Sequence, residues 1–166
     1  MMPLPTKFDH NEWFLLLALF ISFSIILFIP KRIPVSISIL IMLFSIVVAR
    51  LTDHILSAPR TELYQIMDTE KYELFDLLLY FLYAPFAYIF VYVYYRLNIK
   101  GMKILFYIIV CSTFGTLFEW ITVEFRIFDY KSWNLQYSFS IYLVSQACTL
   151  LLFMILWRRF EDHRSK

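Results

Sequence analysis

Residues 13–29 read WFLLLALFISFSIILFI, seventeen positions without one charged side chain, closed by Pro30-Lys31-Arg32. An α-helix rises about 1.5 Å per residue and a bilayer core is about 30 Å thick, so roughly 17–25 mostly apolar residues span it. A helix on the surface of a soluble domain is apolar along one stripe; this run is apolar all round. It therefore predicts a spanning helix. A secretory leader would carry its positive charge before the apolar core and an Ala-x-Ala-like site after it. Here the basic pair follows the run, so it is expected to stay as a mature helix.

Four further runs have the same character. The second covers 35–52: it begins after Pro34 and passes Arg50, whose long stem is expected to carry its charge to the headgroups. The third covers 74–95, with Pro85 predicting a kink in its middle. The fourth covers 104–125 and is interrupted by Glu119 and Glu124; the fifth covers 137–157 and ends at Arg158-Arg159. Together they predict an all-α, polytopic transmembrane bundle of five spanning helices, one membrane domain over 1–166.

Composition agrees. Of 166 residues, 61% are apolar and 17% charged, against about 45–50% and about 25% in an ordinary soluble domain. Two glycines and low charge exclude collagen-like and disordered chains. The net charge of +2 comes from scattered basic residues, which does not suggest a nucleic-acid partner. Cys111 and Cys148 sit in apolar runs without a C-x-x-C neighbour and read as buried, reduced thiols. His10, His54 and His163 are isolated, and no cofactor or metal signature is present.

Basic residues orient the bundle. Connections 1–2 and 3–4 and the C-terminal tail hold nine of them: Lys31, Arg32, Arg96, Lys100, Lys103, Arg158, Arg159, Arg164 and Lys166. The opposite side holds six: Lys7, Arg50, Arg60, Lys71, Arg126 and Lys131. The positive-inside rule then predicts the N-terminus outside and the C-terminus in the cytoplasm. Eleven of the thirteen acids fall on the outer side. Trp13, Trp120, Trp133 and Trp157 lie near span ends, where an aromatic belt is expected. In the longest connection, Thr61-Glu62-Leu63-Tyr64-Gln65-Ile66-Met67 predicts a short interfacial helix with a Thr cap.

Ionisable groups within spans are functional candidates because the membrane penalises them. In the fourth run Ser112, Thr116, Glu119, Val123 and Arg126 recur at four, three, four and three, so they share one helix face. In the third, Glu73, Asp76, Tyr80 and Tyr83 do the same, and Tyr88, Tyr92 and Tyr95 form another row. The fifth adds Ser138, Tyr142, Ser145, Gln146 and Thr149. The expected packing turns the three rows inward, with Glu119 facing Asp76 and Tyr80 near the outer surface. Two small-x-x-x-small steps, Cys111–Gly115 and Ser112–Thr116, predict close approach of the fourth helix to a neighbour.

Three readings compete for these rows. In the first they are interhelical glue, each bond contributing on average about 0.6 kcal/mol, with Arg126 or a proton neutralising Glu119. The chain is then a non-enzymatic envelope protein that packs with a second copy or another membrane protein. In the second, Glu119 and Asp76 form an outward-facing cation or proton site in a small transporter. In the third, paired carboxylates serve a lipid-modifying enzyme. No hydrolase, zincin or P-loop signature supports that last reading.

The order Phe75-Asp76-Leu77-Leu78-Leu79-Tyr80-Phe81, Ala84-Pro85-Phe86, Phe118-Glu119-Trp120-Ile121 and Tyr130-Lys131-Ser132-Trp133-Asn134-Leu135 is distinctive. It resembles a family of small, uncharacterised five-helix membrane proteins of endospore-forming Firmicutes, with Asp-Leu-Leu, Glu-Trp and Gly-Trp-Asn motifs. Ser132 stands where that family tends to have Gly. The likeness covers about half of the chain. It implies an envelope protein with a shared outer-surface site at Asp76, Glu119, Trp120, Trp133 and Asn134, and it implies no activity.

Overall fold

The computed structural model describes residues 8–56, 63–66 and 74–164. Its elements are α1 (His10–Phe28), α2 (Val35–Leu56), β1 (Tyr64–Ile66), α3 (Leu74–Arg96), α4 (Lys103–Glu124), β2 (Phe128–Tyr130) and α5 (Leu135–Arg164). Each of the five helices is long and apolar enough to cross a membrane. The chain is a multi-pass helical membrane protein. Its outer surface is apolar on every side: Phe20, Phe28, Phe106 and Phe114 are each 68–88% exposed. Water would not tolerate a surface of this extent, whereas lipid solvates it.

Local chemistry sets the helix ends. The Asp9 N–H donates to Glu12 Oε2 at 2.7 Å, which satisfies a free donor at the start of α1. Pro30 and Pro34 bound the turn between α1 and α2. α3 and α4 end in the same way. Asn98 and Arg126 adopt left-handed φ values of 49° and 56°. The next N–H in each case reaches back, from Ile99 to the Tyr94 carbonyl and from Ile127 to the Thr122 carbonyl. These are paired Schellman stops.

The runs and the helices differ most at two C-terminal ends. α2 continues through Arg50 and Asp53 to Leu56, and α5 continues past Trp157 to Arg164. In that last stretch Trp157 Nε1 donates to Glu161 Oε1, one turn on, at 2.8 Å. Pro85 lies inside α3 without ending it. The segment expected as an interfacial helix is instead a strand over Tyr64–Ile66, with its flanks at 61–62 and 67 outside the described residues. Cys148 is exposed on the bundle surface rather than buried, while Cys111 is half-buried. Lys7, Pro59, Arg60, Lys71 and Glu73 also lie outside the described residues.

α3 is the central helix, with 56% of its spanning window buried against 6% for α4. It packs on α1 and α2, while α4 packs on α5, and α5 joins the two groups through α2. Two buried clusters result. One gathers Ile37, Ile41, Tyr88, Val91, Ile108, Leu150 and Phe153. The other, toward the opposite end, gathers Leu15, Phe75, Leu79, Leu82, Ile127 and Phe128. Between lipid and protein the hydrophobic effect gives little net drive, so this interdigitation and the polar contacts hold the helices together.

A two-stranded antiparallel ribbon closes one end of the bundle. Tyr64 pairs with Tyr130, Gln65 with Asp129 and Ile66 with Phe128. The Leu63 carbonyl also accepts the N–H groups of Lys131, Ser132 and Trp133 at 3.0–3.1 Å. Connections 2–3 and 4–5 therefore lie at the same end and are bound to each other.

Candidate functional site

A cavity of about 390 Å³ opens among α2, α3, α4 and α5 beneath this ribbon. Its origin is geometric. α3 and α4 are bridged by rings, not by close backbone contact: Phe86 and Phe118 sit 5.0 Å apart, and Phe90 stacks on Tyr107 at 5.1 Å. The Tyr107 hydroxyl donates to the Phe90 carbonyl at 2.6 Å and fixes that ring in place. Ring-length spacers between two helices leave unfilled volume on their inner side.

The walls are apolar over most of the cavity, and the ribbon end is polar. There Glu119 Oε1 accepts from the Tyr130 hydroxyl and from Ser138 Oγ, the latter at 2.6 Å. Ser138 in turn accepts from Trp133 Nε1 at 2.7 Å. The Tyr142 hydroxyl lies beside the same carboxylate and next to Tyr83. On the α2 side, the Tyr64 hydroxyl donates to Asp53 Oδ1. Tyr80 approaches Asp53 as well, and Arg50 Nη1 donates to the Tyr80 oxygen at 3.1 Å with its guanidinium over that ring. Arg50 thus directs its head to Tyr80 as well as outward.

Burial pushes the Tyr64 hydroxyl above its ordinary range, and the Asp53 charge acts in the same direction. The Tyr130 hydroxyl is raised by burial and then by its bond to Glu119. Both ribbon tyrosines therefore remain protonated donors at working pH. Their rings also pack together: Tyr64 meets Phe128, Tyr130 and Trp133 with centroids 5.7–6.4 Å apart.

The expected inward rows are partly realised. Ser112 is fully buried and donates to Gln146 Oε1 at 3.1 Å, joining α4 to α5. Gly115 lies against the Tyr142 ring, with 3.4 Å left for a Cβ. Ser145, Gln146 and Thr149 line the cavity. Of the seven candidate residues, Glu119 and Trp133 line it too, and Tyr80 reaches the polar end through Arg50 and Asp53.

The other four candidates do not line the cavity. Asp76 is buried in the first turn of α3 but does not line the space, so the acid that shares the cavity with Glu119 is Asp53. Trp120 is half exposed on the outside of α4. Asn134 precedes α5 and accepts the Gln136 N–H at 3.3 Å, an end-capping contact. Arg126 is exposed and makes no bond to Glu119; its place is the left-handed stop after α4. The carboxylate is held by hydroxyls, not neutralised by that guanidinium.

Asp53, Tyr64, Tyr130 and Tyr142 were not among those candidates. Asp53 had a signal: Ser45, Ala49, Thr52 and Leu56 recur at helical spacing and all face the cavity beside it. The ribbon had a weaker one, the alternation of Phe128 and Tyr130 about an exposed Asp129. Among the described residues no cluster of three or more His, Cys, Asp or Glu could hold a metal. Comparison with family models, curated proteins and solved structures found no match.

Proposed function

We propose that this protein binds an amphiphilic small molecule within its helical bundle. The observation that carries the reading is the cavity itself: apolar for most of its length, with two carboxylates, several tyrosine hydroxyls and an indole at one end. Its volume falls within the ~300–1,000 Å³ of typical ligand pockets. A ligand with an apolar body and a hydrogen-bonding head matches both parts. Interhelical hydrogen bonds account for Ser112 and Gln146 and link Tyr83, Tyr142 and Glu119, but Ser145 and Thr149 border open space.

The charge distribution supports the N-terminus outside and the ribbon end on the outer face of a bacterial cell membrane. In that orientation the polar end of the cavity lies near the outer headgroups. The resemblance to envelope proteins of endospore formers is consistent with such a location. A cation or proton site in a transporter remains the second reading, favoured by the presence of Asp53 and Glu119 in one cavity.

Native mass spectrometry of the detergent-solubilised chain tests the proposal. An amphiphile is expected to co-purify and to be lost in Ala49→Phe, which fills the cavity from α2. A chain that carries no bound species, or one retained equally by Ala49→Phe, overturns it.

A further inference from the structure

We propose that the head of the bound amphiphile is a substituted ammonium, held by Glu119 inside an aromatic cage. This inference rests on the amphiphile-binding reading and names the ligand's charge and chemical class.

Three observations lead to it. First, among the described residues the cavity lining includes two acids, Asp53 and Glu119, and no Lys, Arg or His. A carboxylate in an apolar wall is suited to pair with a positive charge, and among the described residues the lining supplies no basic side chain beside Glu119. Second, the partners of Glu119 are neutral hydroxyls: Tyr130 and Ser138 donate to Oε1, and the Tyr142 hydroxyl lies beside the same carboxylate. Third, the residues around that carboxylate are rings: Tyr83, Tyr130, Tyr142 and Trp133 all line the same space.

Ring faces attract cations through their quadrupole, and a carboxylate among several rings is the arrangement that recognises alkylated ammonium groups. A neutral head would satisfy the hydroxyls but form no ion pair with Glu119. An anionic head would face two carboxylates. Below the head, Phe86, Phe90 and Phe118 line the apolar part that would receive an alkyl or aryl body.

Two sources share this chemistry, a free lipophilic amine and the amine headgroup of a lipid such as phosphatidylethanolamine. The test uses the full chain in maltoside micelles, which carry no cation, titrated calorimetrically with octyltrimethylammonium, with its uncharged carbon isostere and with decanol. The ammonium is expected to bind at least tenfold more tightly than either neutral amphiphile. Glu119→Gln, which preserves the side-chain shape and the Oε1 acceptor, is expected to remove that preference. Tyr83→Leu is expected to weaken ammonium binding severalfold without touching the carboxylate, and it serves if the Gln variant does not fold.

Displacement of the ammonium by phosphatidylethanolamine assigns the head to a lipid, and failure to displace assigns it to free amines. Equal binding of all three probes, or an ammonium preference that survives Glu119→Gln, overturns the cationic head while amphiphile binding stands. Binding of none of the three overturns both.

Discussion

Tyr64→Phe isolates the contact that ties the ribbon to α2. The phenylalanine ring keeps the edge contacts with Phe128, Tyr130 and Trp133. Only the hydroxyl that donates to Asp53 disappears. Asp53 is 6% exposed, so water does not replace the lost donor. Leaving a buried hydrogen-bonding group without its partner costs about 1–3 kcal/mol. With Tyr80 still beside Asp53 the lower half of that range, about 1–2 kcal/mol, is expected, a shift of roughly fivefold to thirtyfold in the unfolding equilibrium. Reversible denaturation in mixed micelles, followed by tryptophan fluorescence, reads it. Asp53→Asn in the Tyr64→Phe background should cost less than it does alone, because the two groups are coupled.

The pH dependence supplies a second signature. Folding raises the Tyr64 pKa above its unfolded value near 10.0. Below that value both states hold the proton and stability does not depend on this group. Above it the unfolded chain releases the proton first, so stability falls, by up to about 1.4 kcal/mol per pH unit, until the folded group also titrates. Tyr64→Phe should flatten that alkaline decline. A loss under about 0.5 kcal/mol together with an unchanged alkaline slope would refute the Tyr64–Asp53 link.

Other expectations follow from single contacts. Arg126→Gly should stabilise the fold by about 0.5–1 kcal/mol, because glycine adopts the left-handed φ there without a Cβ penalty; a loss on thermal unfolding would restore an ion-pair role for Arg126. Gly115→Ala should be neutral to about 1 kcal/mol stabilising, since its Cβ meets Tyr142 at an ordinary 3.4 Å and alanine favours helix. Gly115→Leu should cost about 1–3 kcal/mol by displacing that ring, and equal behaviour of the two variants would refute the α4–α5 packing. A cytoplasm-dependent reporter should be active when fused at the C-terminus and silent when inserted between α4 and α5; the reverse pattern refutes the proposed orientation.

The helices were legible because a bilayer demands apolar length, and length is a property of contiguous sequence. The site was legible only in part. Glu119 stood out as a charge inside a span, but Asp53, which shares its cavity, lies one residue past the end expected for the run that passes Arg50 and so read as part of the connection. The polar side chains of Tyr80 and Asp53 accommodate that Arg within a continuing helix. Asp76, the acid named instead, shares a stripe with Tyr80 but does not line the cavity. Stripe arguments give relative angles on one helix, not the rotation of one helix against another.

Hydropathy by itself determined that this chain has five helices long and apolar enough to cross a membrane. Tertiary structure decided which acids share a space, that rings hold α3 and α4 apart to leave a cavity, and that two three-residue strands close its end. The physical reason is separation in sequence. Spanning is encoded residue by residue in transfer from water to lipid. The ribbon depends on pairings between segments more than sixty residues apart, and the cavity on ring contacts between separate helices, which meet only after the helices have packed.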